Sequence, residues 1–362
     1  MENTHALVGL NLVSGLGSVK INRLIGKFGS AAAVFDAAKE QLSATEGIGG
    51  EIASNILKIT PAMIEEELSL AEKSGARVLT LEHPDYPVSL KNIYDPPPVL
   101  YMAGGAIPEC GINVGVVGTR TATDYTARFL KDLTDDMSRQ PEDYVITSGM
   151  ARGADCIAHH EAVKKNIFTA AVLGFGLSRV YPYERHYMAG EILKKGCLIS
   201  EFPMRMLGLK QNFPRRNRVI SGIADCILVT EAPEKSGALI TADFALEQGR
   251  EIFAVPGSVY WDKSRGTNSL IKQGAKPALS LADITEAFGF KAVKQASFQR
   301  QEAGPLSPDE ENVLSFLGQE KKHIDNIAFE SNINVFKAAS TLTILEMKGL
   351  VKQLGGMNFV RV

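Results

Sequence analysis

The chain has 362 residues, of which 45% are hydrophobic and 22% charged, so it is long enough for two or three folded domains with a sizeable core. Its formal net charge of −2 excludes a protein coated in positive charge, and any affinity for nucleic acid must come from a local basic patch. No apolar run approaches the roughly 20 residues of a membrane helix and the N-terminus lacks a secretory pattern, so we expect a cytoplasmic protein without a membrane partner.

Residues 1–75 are predicted to form a helical domain of short amphipathic helices separated by glycine breaks. Two breaks, Gly15-Leu16-Gly17 and Gly47-Ile48-Gly49, share the form found in helix-hairpin-helix or SAM-like units, whose hairpin amides can face a DNA phosphate. Glycines there also simply permit tight turns between helices, and we favour that interpretation. The sequence therefore predicts helical hairpins without assigning them a DNA contact.

Residues 76–293 are predicted to form a Rossmann-like α/β domain. Pro96-Pro97-Pro98 excludes regular helix and predicts an extended entry into Val99-Leu100-Tyr101. Continuous apolar runs then alternate with helical periodicity, which indicates a doubly wound parallel sheet covered by helices on both faces. The predicted strands are 114–117, 144–146, 169–173, 197–200, 226–229 and 252–255.

The last part of the chain is predicted to be a polar linker, 294–304, followed by a winged-helix domain, 305–362. Ser307 precedes a first helix, apolar positions at helical spacing follow, and Leu354-Gly355-Gly356 predicts a closing hairpin. The third helix, about 335–348, lacks the arginine, asparagine and glutamine set of a base-reading helix. A protein-contact or regulatory role is at least as well supported as duplex binding.

Small residues and arginines follow the predicted strands at the edge where open parallel sheets bind ligands. Such loops let backbone amides face an anion, while arginine supplies charge, so we expect phosphate contacts here. No loop matches a P-loop, and Gly174-Phe175-Gly176 lacks the third glycine of a dinucleotide fingerprint, so we expect no nucleotide cofactor. The candidate residues are Gly118, Thr119, Arg120, Ser148, Gly149, Arg152 and Gly153.

A basic segment between residues 202 and 224 contains five cations and no acidic residue: Arg205, Lys210, Arg215, Arg216 and Arg218. Its centre is the predicted loop Phe213-Pro214-Arg215-Arg216-Asn217-Arg218. The guanidinium groups there can pair with phosphate oxygens, and the Phe213 ring can stack on an unpaired base. Because solvated charged faces normally carry both signs, the segment favours nucleic-acid contact. Ser236 and Gly237 begin a helix running to Gln248, whose free amides can also face phosphate.

Catalytic and metal sites find little support. Asp155 and His159 share one helix face, but there is no third ligand at a recognisable spacing, and an Asp in a first turn ordinarily serves the helix dipole. Ser148 lacks a G-x-S-x-G elbow, and the four cysteines show no zinc spacing. We therefore expect a binding protein rather than an enzyme.

These motifs together resemble the DprA/Smf family, DNA processing protein A. The resemblance is carried by 117–120 (VGTR), 148–155 (SGMARGAD), 181–182 (YP), 200–203 (SEFP), 213–222 (FPRRNRVISG), 236–242 (SGALITA), 249–251 (GRE), 255–257 (VPG) and 266–268 (GTN). It covers essentially the whole central domain, and the flanking helical-hairpin and winged-helix regions match the family's longer members.

The resemblance implies an extended Rossmann fold that dimerises, binds single-stranded DNA during natural transformation, protects it and helps load the recombinase RecA. In the family the strand runs through a basic pocket formed by the arginine of V-G-x-R and the F-P-x-R-N-R segment. Carried over, these are Arg120, Arg215, Arg216 and Arg218, with Gly149, Arg152 and Phe213 close by.

One position departs from the family pattern: Tyr183 stands where a lysine is common, and Arg185 is the candidate to replace it. Two other functions remain open. Related Rossmann folds include nucleotide phosphoribohydrolases, although Glu231-Ala232-Pro233-Glu234-Lys235-Ser236-Gly237 lacks their P-G-G-x-G-T signature. Alternatively, the winged helix is a duplex-DNA regulator and the Rossmann domain its dimerisation platform.

Overall fold

The structure is a computed structural model that describes residues 1–109, 111–140, 143–178, 186–289, 306–318, 321–348, 350–354 and 357–361. The chain divides into two units, Met1–Gly289 and Phe290–Val362. The linker predicted over 294–304 lies outside the described residues, and so does Arg185.

The first 73 residues are helical, as predicted, and glycines lie in the connections between the helices. Gly15, Gly29 and Gly47 have φ values of 79°, 88° and 77°, in the left-handed region where a side chain is strained. The helices are α1 (Asn3–Asn11), α2 (Ser18–Phe28), α3 (Ala31–Phe35), α4 (Lys39–Ser43), α5 (Gly50–Leu57) and α6 (Pro61–Lys73). Their apolar residues share one core with strand residues of the central sheet, such as Leu173 and Leu198, which joins this region to the sheet.

A single sheet of nine strands runs through the described part of the first unit. The strands are β1 (Ala76–Thr80), β2 (Val99–Gly104), β3 (Ile112–Val117), β4 (Tyr144–Ser148), β5 (Phe168–Leu173), β6 (Cys197–Ser200), β7 (Cys226–Val229), β8 (Glu251–Ala254) and β9 (Lys276–Pro277). Their order is β1-β2-β6-β5-β4-β3-β7-β8-β9.

The parallel pairing predicted between residues 112 and 255 is confirmed. Strands β1 and β2, in contrast, add an antiparallel edge: β2 pairs with β6 and β1 pairs with β2. The proline-rich connector between β1 and β2 holds one short helix, α7 (Val88–Lys91), and no long crossover, and antiparallel neighbours need none.

Helices cover both faces of the sheet, as predicted for a doubly wound fold. Alternate residues of β7 enter different cores: Ile227 and Val229 pack on one face, and Cys226 and Leu228 on the other. The covering helices are α8 (Asp124–Met137), α9 (Ala154–Lys164), α10 (His186–Lys195), α11 (Asn212–Ile223), α12 (Gly237–Glu247), α13 (Arg265–Lys272) and α14 (Leu281–Ala287). No helix among the described residues is long and apolar enough to cross a membrane.

The second unit has a separate core and the predicted winged-helix order. Ser307 caps the first helix, and the Glu310 carboxylate accepts the Ser307 N–H in return, at 2.7 Å. The elements are α15 (Pro308–Ser315), β10 (Lys322–His323), α16 (Ile324–Glu330), α17 (Val335–Met347), β11 (Val351–Leu354) and β12 (Asn358–Arg361). The short strand β10, which pairs with β12, was not expected from the sequence.

Candidate nucleic-acid interface

A cleft of about 550 Å³ opens beyond the carboxyl ends of β3 and β7, at the sheet edge where the sequence predicts a site. The segment after each of these strands contributes to it, together with α11 and the start of α12. Predicted site residues that line it are Gly118, Thr119, Arg120, Phe213, Arg216, Asn217, Ser236 and Gly237, and Lys210 and Lys235 line it as well.

The loop after β3 is held rigidly and presents Arg120 to solvent. A Cβ on Gly118 would lie 2.6 Å from Thr230 Oγ1, so only glycine permits this approach of β3 to β7. The buried Glu231 carboxylate accepts hydrogen bonds from Thr123 N–H and Oγ1, both at 2.8 Å, and from Thr126 Oγ1 at 2.7 Å. Sequence reasoning missed this anchor, because the partners are more than 100 residues apart.

The turn after β4 is held by its own backbone and by neighbouring groups. Ser148 is buried and its Oγ donates to the Val116 carbonyl at 2.6 Å. Gly153 has a φ of 78°, and a Cβ there would lie 2.2 Å from the Thr119 carbonyl oxygen. The Asp155 carboxylate, in the first turn of α9, accepts the Ala151 N–H at 3.1 Å. Arg152 is exposed.

The loop predicted over 213–218 is wrong, because these residues form the first turns of α11 (Asn212–Ile223). Pro214 falls in the first helical turn, where an N–H is not needed for an intrahelical bond. Helical spacing then divides the side chains: Phe213, Arg216 and Asn217 line the cleft, whereas Arg215 lies three residues before Arg218 on another face.

Arg216 and Arg218 are each only 4% exposed and bind other parts of the protein. The Nη1 of Arg216 donates to the Gly149 carbonyl at 2.6 Å and to the Val172 carbonyl, which ties the ends of β4 and β5 together. Arg218 forms an ion pair with buried Glu201, and its Nε lies 3.2 Å from the Asp95 carboxylate. The predicted phosphate contacts of these two residues stay predictions.

The remaining basic residues of the segment differ in their surroundings. Arg215 is half exposed, with its guanidinium 5.4 Å from the centre of the Phe202 ring and 3.8 Å from Glu201. Arg205 pairs with Glu66 at 2.5 Å. Lys210 is exposed at the cleft. Acidic residues outside this segment contact three of its five cations, Arg205, Arg215 and Arg218. The lack of acids within residues 202–224 therefore does not mean that all five cations are available to a partner.

Two buried groups that interact with arginines of α11 have shifted pKa values. Burial, reinforced by the nearby Arg216 charge, lowers the pKa of His159 to about 3, and its Nδ1 lies 2.7 Å from Thr169 Oγ1. Burial also raises the pKa of Glu201, although Arg218 opposes the shift. His159 is thus a neutral core residue, and no group of side chains among the described residues has a metal-binding arrangement.

Ser236 caps α12 as predicted: its Oγ accepts the Ala238 N–H at 3.3 Å, and the helix runs over Gly237–Glu247. The amide nitrogen of Asn217 donates to the Gly237 carbonyl at 3.4 Å, which links α11 to the start of α12. Around Phe213, the guanidinium of Arg120 lies 6.0 Å from the ring centre. A cation and an aromatic ring are therefore neighbours at the cleft.

Two family models match the chain: "DNA recombination-mediator protein A" over residues 77–289 and "DprA winged helix domain" over residues 299–357. The chain is also similar to Protein Smf of Synechocystis sp., with 31% identity over 96% of both chains. The matched regions include the sheet, the cleft and the second unit.

Two solved structures resemble the chain. One is the X-ray structure of DNA processing protein A from Streptococcus pneumoniae, with a TM-score of 0.67 and 27% identity over 79% of this chain and 98% of that one. The other is DNA processing protein A from Helicobacter pylori, with a TM-score of 0.53 and 28% identity over 59% of this chain and 97% of that one. The latter structure is described as showing that protein's single-stranded-DNA binding mode.

Proposed function

This chain belongs to the DNA recombination-mediator protein A family, and on that premise we propose that it binds single-stranded DNA in DNA processing and recombination. The observation that supports this most directly is the pairing of exposed Arg120 with the Phe213 ring at the cleft. A phosphate and an adjacent unpaired base require such a combination of cation and ring. The related Helicobacter pylori protein binds single-stranded DNA.

Within the proposed site, the residues have two roles. The exposed cations Arg120, Lys210 and Lys235 contact phosphates, with Arg152 and Arg215 extending the basic surface. Buried Arg216 and Arg218 position α11. Five residues shape the turns beneath the bound DNA: Gly118, Thr119, Ser148, Gly149 and Gly153. The start of α12, Ser236 and Gly237, offers further donors, and Asn217 holds it against α11.

The proposed partners follow from the family. We propose that the protein forms a homodimer through the Rossmann domain, protects incoming single-stranded DNA during natural transformation and helps load RecA for homologous recombination. Acceleration of RecA assembly on DNA coated with a single-strand-binding protein would support this role. An unchanged rate, with DNA binding intact, would remove RecA loading from the proposal.

A phosphoribohydrolase-like enzyme is less well supported. Glu231, in the stretch that corresponds to the region of the enzymes' signature, is buried and accepts three hydrogen bonds from Thr123 and Thr126. A carboxylate held in this way is a structural anchor rather than an available base. Release of free base from nucleoside monophosphates in the presence of saturating single-stranded DNA would instead favour the enzyme.

The DNA-binding proposal is tested by titrating labelled oligo-dT at several salt concentrations. If Arg120, Lys210 and Lys235 each meet a phosphate, the slope of log K against log salt is about −2, from about −0.7 per phosphate. Arg120→Ala should reduce the slope by about 0.7 and weaken binding to all sequences alike. Arg139→Ala, an exposed arginine just beyond the opposite end of α8, is the matched control. An affinity indifferent to both salt and Arg120→Ala would contradict the proposal.

A further inference from the structure

Two exposed aromatic rings lie in the segment that follows β8. Tyr260 is 91% exposed and Trp261 52% exposed. The Trp261 ring packs edge to face against Tyr125 of α8, with ring centres 6.3 Å apart and planes at 80°. The Tyr125 hydroxyl donates to the Pro256 carbonyl at 2.6 Å. Trp261 is therefore supported from one side while much of it, and nearly all of Tyr260, faces solvent.

This aromatic segment adjoins the loop that carries Arg120. The Lys263 ammonium donates to the carbonyl of Thr121, the residue after Arg120. The Lys263 carbonyl accepts the Ala232 N–H at 2.7 Å, just after β7. The exposed rings and the cleft are thus anchored to the ends of the same two β-strands, β3 and β7.

The chemistry of the segment suits bases better than phosphates. Asp124 and Asp262 are neighbours of Tyr125 and Trp261 in the chain, and exposed carboxylates repel a phosphate. A base presents a neutral face that stacks on an aromatic ring whatever its sequence. Among the described residues that line the cleft, Phe213 is the single aromatic side chain, so a strand held there by phosphates has few stacking partners inside it.

From these observations we infer that Tyr260 and Trp261 form a base-stacking platform that extends the single-stranded-DNA site beyond the cleft. The inference rests on the proposed function, since it assigns a second part of the same binding path. The rings bind bases of the strand whose phosphates contact Arg120 and its neighbouring cations.

The chain contains one tryptophan, so its fluorescence reports on this position alone. Oligo-dT should change the Trp261 emission and saturate at the concentration at which the anisotropy of labelled oligo-dT saturates. Tyr260→Ala should raise Kd at least about fivefold, the lower end expected for one stacked base. Tyr260→Phe keeps the ring and should bind as the parent does. Tyr94→Ala removes an equally exposed tyrosine from the segment between α7 and β2 and should have no effect.

Three results would overturn the inference. If anisotropy shows binding while Trp261 emission and Tyr260→Ala affinity stay unchanged, the rings lie off the path and the proposed function stands. If Trp261 emission instead changes with protein concentration before DNA is added, a second copy of the chain covers the rings. If oligo-dT does not bind even at low salt, the proposed function fails and the platform fails with it.

Discussion

Arg120 faces solvent at the cleft, whereas Arg216 and Arg218 lie inside the protein and bind carbonyl and carboxylate groups. An exposed guanidinium can exchange water for phosphate at little cost, but removing a buried one leaves its partners without a hydrogen bond. Substitution of Arg216 or Arg218 would therefore change folding together with binding. Arg120, Lys210 and Lys235 are the residues through which DNA binding can be measured separately.

The position of the buried arginines could not be predicted from the sequence. Glu201 and Asp95, which pair with Arg218, lie 17 and 123 residues away along the chain. The basic segment itself contains no acid, so local composition gave no sign of these partners. The sequence places the candidate residues in a few segments, but only the fold separates side chains that face the cleft from those that lie beneath it.

Gly149 makes the position of Arg216 possible, which leads to a stability prediction. A Cβ at residue 149 would lie 2.2 Å from Arg216 Nη1, so Gly149→Ala must displace the guanidinium from its carbonyl partners. We expect a loss of about 1–3 kcal/mol in the free energy of unfolding, measured with urea. Gly190→Ala, in exposed α10 with open space around the added methyl, should instead be neutral or slightly stabilising. Equal effects of the two substitutions would contradict the prediction.

His159 predicts a pH dependence of stability. Its folded-state pKa of about 3 lies below the ordinary value of 6.5, so the unfolded chain binds the proton more tightly and stability falls as pH drops from about 6.5 toward 3. At pH 5 the expected loss relative to pH 8 is roughly 2 kcal/mol from this residue. His159→Asn lacks this titration, so its stability deficit against the parent should shrink by about that amount between pH 8 and pH 5. A constant deficit in urea unfolding would show that His159 does not titrate in this way.

Among the secondary-structure elements, the parallel strands were predicted well, because a strand covered on both faces appears in the sequence as a continuous apolar run. Helix α11 was not predicted, although arginine is a good helix former and Pro214 lies in the first turn, where proline is tolerated. Its residues Val219, Ile220 and Ile223 are buried against the sheet, a contact that the local sequence does not show. The antiparallel edge was missed because the pairing of β1 and β2 is set by their neighbours rather than by their own sequence.

The start of α12 provides a test that separates capping from DNA contact. Ser236→Ala removes the cap of α12 and should cost about 1 kcal/mol in unfolding free energy, whereas Ser236→Asp keeps a capping oxygen and should remain stable. The added carboxylate lies at the cleft, however, so Ser236→Asp should weaken oligo-dT binding by repelling phosphate.

Ser307→Asp is the matched control for this test. It changes the cap of α15 in the second unit by the same chemistry and should leave the affinity for oligo-dT unchanged. If both aspartate variants bind as the parent does, phosphate does not pass the start of α12.

The whole molecule consists of two units with separate hydrophobic cores. The sequence predicted the α/β fold of the first unit and the winged-helix fold of the second, because each has its own periodicity. The N-terminal helices were expected as a domain of their own, but they share a core with the sheet. A shared core depends on which faces meet in space, and helical periodicity alone does not show this.

Deleting residues 290–362 tests where DNA binds. The cleft and the aromatic segment belong entirely to the first unit, so we expect oligo-dT affinity to stay within about twofold of the parent at the same salt concentration. The circular dichroism and urea unfolding of the shortened chain serve as the folding control. A collapse of affinity in a folded shortened chain would favour the alternative in which the winged helix is the DNA-binding part.

The hydrogen bonds that shape the cleft also affect the rate at which a DNA strand can enter it. Hydrogen bonds within the protein join its parts: Arg216 to the Gly149 carbonyl, Thr123 to the Glu231 carboxylate, and Asn217 to the Gly237 carbonyl. A preassembled site needs no rearrangement before contact, so association should be limited by encounter, and its rate constant should rise as salt is lowered. Capture of a DNA strand would then need no slow conformational step before the first contact.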